Sequence, residues 1–351
     1  MSIITRVSVE ALNLSMNEPF EISLGTQYEA ANVLVTIETE SGTIGYGEGS
    51  PIAPVTGETQ TTALAVAGET ASLLEGEEIG DYRRLIERVR ATFPGMVSAL
   101  FAVETALLDA YCREREIPLA ALFGGTVQPV TTDLTIPILS PEEAASTASR
   151  AIENGFEHLK IKTGNDVNGD IERIAAIHQV AEDAELKVDA NQGWSVKETV
   201  YFASQMRSRE IDIALIEQPV PKTDISGLSL ARESVSTPIA ADESIFTPAD
   251  ALRVVRENAV DVINVKLGKS GILAVADIVA IAKAADLELM IGCMLESAIG
   301  IHTSAHLVAG TGAFNYVDLD GNLLLAEDVI ERKYGPRIDI KGAGHGVVPQ
   351  V

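Results

Sequence analysis

From Gly125 onward the chain alternates short apolar segments with helix-like ones, and that rhythm constrains the fold more than any other feature. The strand-like runs read TTDLTIPI, HLKIK, LKVDA, IALIEQP, PIAADES, DVINVKL, LELMIGCM and NYVDLD. Segments such as IERIAAIHQVAE, DALRVVREN and ILAVADIVAIAKAA lie between them. Eight βα units close on themselves without a free edge, so an α/β protein with a (β/α)8 TIM-type barrel is expected. Residues 1–125 behave differently. VSVEALNL and NVLVTIETESGTIGYGEGSP alternate like strands, the latter around a turn at Ser41-Gly42. Helical periodicity follows in TTALAVAGETASLL, DYRRLIERVRATF and SALFAVETALLDAYCRERE. Strands followed by helices predict an α+β module over 1–125, with the barrel over 126–326. The tail, 327–351, is expected to return to the first module.

Composition removes several classes of function. A formal net charge of −25 over 351 residues argues against nucleic acid, whose phosphates need clustered Lys and Arg. No apolar run approaches the roughly 20 residues of a membrane helix, so no membrane partner is expected. The first residues, MSIITRVSVEALNLSM, lack the pattern of a secretory signal. The two cysteines, Cys112 and Cys293, form no paired metal motif, which suits a reduced cytoplasmic protein. A homo-oligomer is compatible with these features, which specify no interface.

Barrel enzymes place their chemistry at the carboxyl ends of the strands. Here those ends carry Lys160 and Lys162 on the second strand, Asp189 on the third, Glu217 on the fourth and Asp242 on the fifth. Lys266 ends the sixth, Glu296 follows the seventh, and Asp318 and Asp320 lie on the eighth. Asp189, Glu217 and Asp242 come from neighbouring strands and converge. Three unpaired anions repel, and a hard dication with oxygen ligands, Mg2+, resolves the conflict. Any one of them alone could instead cap the following helix. Asn191 and Gln218 stand beside these carboxylates as orienting groups.

Lys160 and Lys162 are two apart on a strand and share one face. Lys266 lies four strands further round the ring, on the opposite wall. Two amines facing each other across one metal suit a 1,1-proton transfer next to a carboxylate, passing through an enediolate. A neighbouring ammonium and Mg2+ are expected to lower the lysine pKa toward a useful range, with Lys160 acting on Lys162. A structural salt bridge with the acidic cluster is the plainer alternative. Asp318 and Asp320 would receive a cationic far end of the substrate, unless they are ordinary turn residues before Gly321.

LKIKTG, VDANQGW, IEQP, ADES and NVKLGKSG stand in an order that resembles the enolase superfamily, muconate-lactonizing subgroup. The resemblance spans the whole chain and implies an α+β capping domain, formed by the amino-terminal part and the tail, over the barrel. The Asp-Leu-Asp at 318–320 resembles the dipeptide epimerase branch, in which this motif binds a dipeptide's α-ammonium. The resemblance implies Lys162 and Lys266 as the acid/base pair, Lys160 as their support, and Asp189, Glu217 and Asp242 as Mg2+ ligands. MLESAIG is similar to the segment lining the dipeptide's path, which adds Glu296 and Ser297; Thr135 on the first strand is a further candidate.

The expected partner is therefore a small-molecule dipeptide. Relatives acting on Ala-Glu commonly carry an Arg in the first cap loop, where this chain has Gly25 within PFEISLGT. Glu21 and Glu58 would disfavour an anion there, so hydrophobic or cationic side chains are expected. The rivals are an L-Ala-D/L-Glu epimerase, o-succinylbenzoate synthase, N-acylamino acid racemase, a muconate-type cycloisomerase, or a barrel that binds without catalysis.

Overall fold

The computed structural model describes residues 2–22, 25–331 and 334–350, with residues 19–22, 25 and 26 described by their backbone alone. Three antiparallel strands open the chain: β1 (Ile4–Ile22), β2 (Gly25–Thr39) and β3 (Ile44–Gly49). On either side of residues 23 and 24 the stretch expected to be a cap loop is strand, with Phe20 paired to Gln27 and Ile22 to Gly25. Helices α1 (Ala53–Thr56), α2 (Gln60–Glu69), α3 (Ala71–Leu74), α4 (Tyr82–Thr92) and α5 (Val97–Glu114) follow. α5 is almost wholly buried, which explains why its sequence is apolar nearly all round.

A two-residue strand β4 (Val130–Thr131) precedes the eight-stranded parallel sheet. Its members are β5 (Leu134–Ile136), β6 (His158–Lys162), β7 (Glu185–Asp189), β8 (Leu215–Glu217), β9 (Ile239–Ala241), β10 (Val262–Lys266), β11 (Glu288–Gly292) and β12 (Tyr316–Val317). They are ordered sequentially, and the Asp133 amide donates to the Val317 carbonyl at 3.1 Å, joining the first strand region to the last. The helices between them are α6 (Pro141–Glu153), α7 (Val167–Val180), α8 (Val196–Ser208), α9 (Ile225–Ser234) and α10 (Pro248–Arg256). After β10 come α11 (Leu267–Ser270) and α12 (Ile272–Ala284), and after β11 comes α13 (Ala298–Thr311). Capping boxes at Ser140/Glu143, Ser195/Glu198 and Thr247/Asp250 start three of these helices sharply, which keeps the loops at the barrel mouth short.

Side chains alternate along each barrel strand. Leu159 and Ile161 are fully buried between sheet and helices, and Lys160 and Lys162 share the inner face. Leu215, Ala240, Val262 and Met290 form an apolar cluster of their own, with Tyr316 against it. The tail runs back along the first module. β13 (Arg337–Ile338) pairs with β4, the Ala326 amide donates to Ser15, and Arg113 donates to the Val347 carbonyl at 2.7 Å.

Where the tail meets α13, three histidines lie close together. His306 Nδ1 accepts from the Ala120 amide, while His345 Nδ1 accepts from Val347 and its Nε2 therefore donates to the Tyr46 carbonyl. Burial, then the neighbouring His345, lowers His302 to about 4 and His306 to about 3; burial also lowers His345. A histidine favoured neutral in the fold contributes stability above its unfolded pKa of about 6.5, and loses it as pH falls toward the folded value. His306→Gln is therefore expected to lose less of its melting temperature than wild type between pH 6.5 and pH 4. Parallel curves by calorimetry would contradict this assignment.

Candidate active site

The carboxyl ends of the strands carry a dense, dry array of charge. Lys162, Asp189 and Glu217 stand in register on β6, β7 and β8, so their inner-facing side chains are neighbours. Asp242 follows β9 directly. Asp189, Glu217 and Asp242 are all essentially inaccessible to solvent. Lys160 Nζ lies 2.8 Å from Glu217 Oε2, 3.2 Å from Asp189 Oδ2 and 2.7 Å from Asp318 Oδ2. Lys162 Nζ donates to Asp189 at 2.7 Å, and Lys266 Nζ sits 2.8 Å from Asp242.

The pKa shifts follow from this crowding. Burial, then the negative charge of Asp189, pushes Glu217 up to about 7. Asp242 resists the same burial and is held well below the usual range by Lys266 and Lys269. Desolvation works to lower Lys266, but Asp242, Glu217 and Glu243 together outweigh it and hold the amine above its ordinary value. Lys160 is raised in the same way, by Asp318 and Glu217 against burial. The carboxylates around Lys160 and Lys266 act against the lowering that a neighbouring ammonium and Mg2+ are expected to supply.

Supporting contacts hold the acidic groups. Gln218 accepts from the Asp242 and Ser244 amides, and Asn191 donates from its amide and side chain to Asp189. Asn264 donates to Glu217 Oε1 at 2.7 Å. Lys269, buried within one turn of Lys266, donates to the carbonyl and the carboxylate of Asp242. Asn264 was not singled out from the sequence, although its place two residues before Lys266 puts it on the same inner face.

Asp318 and Asp320 face this array. Asp320 accepts from the Thr135 amide at 2.6 Å, and the Thr135 hydroxyl lies 3.3 Å from both carboxylates. Burial, then Asp318, raises Asp320 to about 6. Oxygens of Asp133, Asp318 and Asp320 lie within 4.8 Å of one another. Asp133 is a group the sequence reading passed over, and its partner Lys187 lies at 2.6 Å.

Two acidic groups thus compete as a cation site, and their donors differ. Asp318 and Asp320 are met by Lys160, the Thr135 amide and the Thr135 hydroxyl, and Asp133 by Lys187; Asp189, Glu217 and Asp242 are likewise met by Lys160, Lys162, Lys266 and Lys269, so ion pairing alone does not separate the two groups. Asp189, Glu217 and Asp242 are three acidic oxygen donors on adjacent strands, and Glu217 is raised by burial and then by the repulsion of Asp189. An all-oxygen set with that repulsion fits Mg2+.

A cleft of about 710 Å3, partly open to solvent, lies over the array. Lys162, Lys266, Thr135, Asp242, Asp318 and Asp320 line it. Six other expected site residues whose side chains are described do not: Lys160, Asp189 and Glu217 are buried within the array itself, and Glu58, Ser297 and Glu296 are engaged elsewhere. Glu58 turns away and accepts from the Ser98 and Ala99 amides, capping α5. Ser297 caps α13 and donates to Glu48 at 2.6 Å. Glu296 is buried behind the wall, raised to about 8 by desolvation and then Glu48. Glu21 and Gly25 lie outside the residues whose side chains are described.

Two family models cover most of the chain: the mandelate racemase / muconate lactonizing enzyme N-terminal domain over residues 4–124, and the enolase C-terminal domain-like model over 143–348. The chain belongs to the enolase superfamily. Within it, the chain is 41% identical over 344 residues to the L-Ala-D/L-Glu epimerase of Thermotoga maritima, covering 97% of this chain and 99% of that one. It is 39% identical to the aromatic dipeptide epimerase of Herpetosiphon aurantiacus, covering 92% and 91%. The dipeptide epimerase of Enterococcus faecalis, solved with Mg and L-Leu-L-Tyr, superposes with a TM-score of 0.93 at 35% identity, covering 99% of both chains. Among the described residues no helix is long and apolar enough to cross a membrane.

The two acidic groups can be told apart by titration with Mn2+ as a Mg2+ probe. Glu217→Gln is expected to weaken metal affinity by about tenfold or more, whereas Asp133→Asn leaves it within about twofold. The opposite ranking would move the metal to the Asp133 group.

Proposed function

We propose that this chain is a Mg2+-dependent dipeptide epimerase that inverts the α-carbon of the carboxyl-terminal residue. The reading is carried by one observation: Lys162 and Lys266 line the same cleft from strands two and six of the ring, each against a carboxylate of the proposed metal set. Asp189, Glu217 and Asp242 would hold Mg2+, which supplies Lewis acidity and positive charge for a substrate carboxylate. Lys162 removes the α-proton from one face and Lys266 returns a proton to the other; the opposite epimer reverses the roles. Lys160 holds the carboxylates of both walls in place. Asp318 and Asp320, braced by Thr135, accept hydrogen bonds from the dipeptide's α-ammonium, which sets the distance from the amino end to the reacting carbon.

For the side chains we favour hydrophobic residues. Ile52, Val55, Met294, Leu295 and Leu324 line the cleft, and among its described lining residues Lys162 and Lys266 are the only cations. Glu58 is committed to α5, so the argument for a cationic side chain loses that support. Relatives are named for an acidic side chain, L-Ala-D/L-Glu, and for aromatic dipeptides.

A library of L,L-dipeptides incubated with enzyme and Mg2+ in D2O, read by mass spectrometry, tests the reading. Deuterium is expected at one carbon of dipeptides with apolar residues. Preferential labelling of Xaa-Glu would contradict the side-chain assignment, and no labelling at all would contradict the activity. Asp318→Asn is expected to raise KM for the labelled dipeptide by about tenfold or more while Mn2+ affinity holds, because it removes a charged acceptor for the ammonium. An unchanged rate would point to a substrate without an ammonium.

A further inference from the structure

The two proposed bases are held by different parts of the molecule. Lys162 ends β6, and the segment after it is tied to the barrel: Thr163 donates to the Asp189 carbonyl, and the Gly164 amide donates to Asp170. Lys266 ends β10, and its segment runs through α11 into α12. That helix starts at Gly271, which has no side chain to offer, and its first turn contains no acidic residue. The exposed amides are met from the other domain. Glu104, fully buried on α5 of the cap, accepts from the Leu273 amide at 2.7 Å and also from Ile272. Arg90 on α4 lies 3.5 Å from Glu104 and donates to the Ser270 carbonyl at 3.4 Å.

The fit leaves no slack. Gly271 has φ +82°, and a Cβ there would overlap Glu104 Oε2 and come within 2.9 Å of Arg90. Between this contact and Lys266 the chain is rigidly engaged. Lys269 is bonded to Asp242, and a Cβ at Gly268 would press on Met294 and Glu296. Lys266 itself passes over Gly292, where a Cβ would lie 2.8 Å from Cε. A displacement at residues 270–273 therefore has a short, stiff route to one base and none of comparable length to the other.

We infer that Glu104 is a positioning residue for Lys266, acting from the cap domain through the start of α12. The inference rests on the two-base reading above. A purely structural docking contact would, when lost, slow both proton transfers alike; a positioning contact slows one. Misplacing a reacting group by about 1 Å can cost on the order of 100-fold, so a partial displacement is expected to be measurable.

The test is α-deuterium exchange in D2O with Mg2+, started separately from each epimer of one dipeptide that the wild type turns over. Lys266→Ala assigns the epimers, since it should keep exchange from the one whose proton faces Lys162. Glu104→Ala and Gly271→Ala, which break the contact from opposite sides, are then expected to slow exchange of the Lys266-facing epimer by about tenfold or more. Exchange of the other epimer stays within about twofold. Glu104→Gln, which keeps an acceptor for Leu273, falls between them and serves if the alanine variants fail to fold. Equal slowing of both epimers, or no slowing, overturns the positioning role while leaving the bases intact. If Lys266→Ala fails to give one-sided exchange, the two-base reading falls and the positioning role falls with it.

Discussion

The contact on which the site depends is the Lys160 ammonium, held between two banks of carboxylate. It touches Asp189 and Glu217 on one wall and Asp318 on the other, and all four groups are buried. Removing Lys160 would strip buried carboxylates on both walls of a shared cation, which is among the most costly defects a core can carry. Both walls are therefore fixed relative to each other by one side chain. That spacing is also the spacing between the proposed metal and ammonium ends of the substrate. Lys160 is better described as a strut than as a mere neighbour that tunes Lys162.

The capping domain is fastened to the barrel by the same chemistry used differently. Glu48 from β3 accepts from the Ser297 and Gly300 amides at the start of α13, and Glu104 from α5 does so at the start of α12. Asn32 and Ser50 add donors to the Leu295 carbonyl. Helix amino termini present unsatisfied amides and positive potential, so buried carboxylates from another domain are natural partners. The cleft wall at 293–295 and the segment after Lys266 are held by these contacts, which places the cap in the architecture of the site as well as over it.

The barrel was legible in the sequence because strand and helix periodicities alternate cleanly, and the charged strand ends were legible because lysines and acids interrupt apolar runs. Lys162, Asp189, Glu217 and Asp242 needed only strand order to be brought together. That Glu58, Glu296 and Ser297 do not line the cleft was not legible, because a conspicuous acid or hydroxyl near a site motif gives no sign of whether it faces the cleft or backbone amides behind it. Glu48, Glu104 and Asp133 escaped notice for the related reason that their partners lie far away in sequence. Hydrophobic lining could be anticipated from the absence of Arg, but its residues come from three separate segments.

The central claim is that two lysines serve opposite faces of one carbon, and isotope tracing of a single inversion tests it most directly. One pure epimer of a turned-over dipeptide is converted to low extent in D2O, and the inverted product is analysed for hydrogen at the α-carbon. Two bases predict that the inverted product carries solvent deuterium throughout, because the proton removed by one amine is never the one delivered by the other. Substrate-derived protium in the inverted product would contradict the account and point to a single group working on both faces.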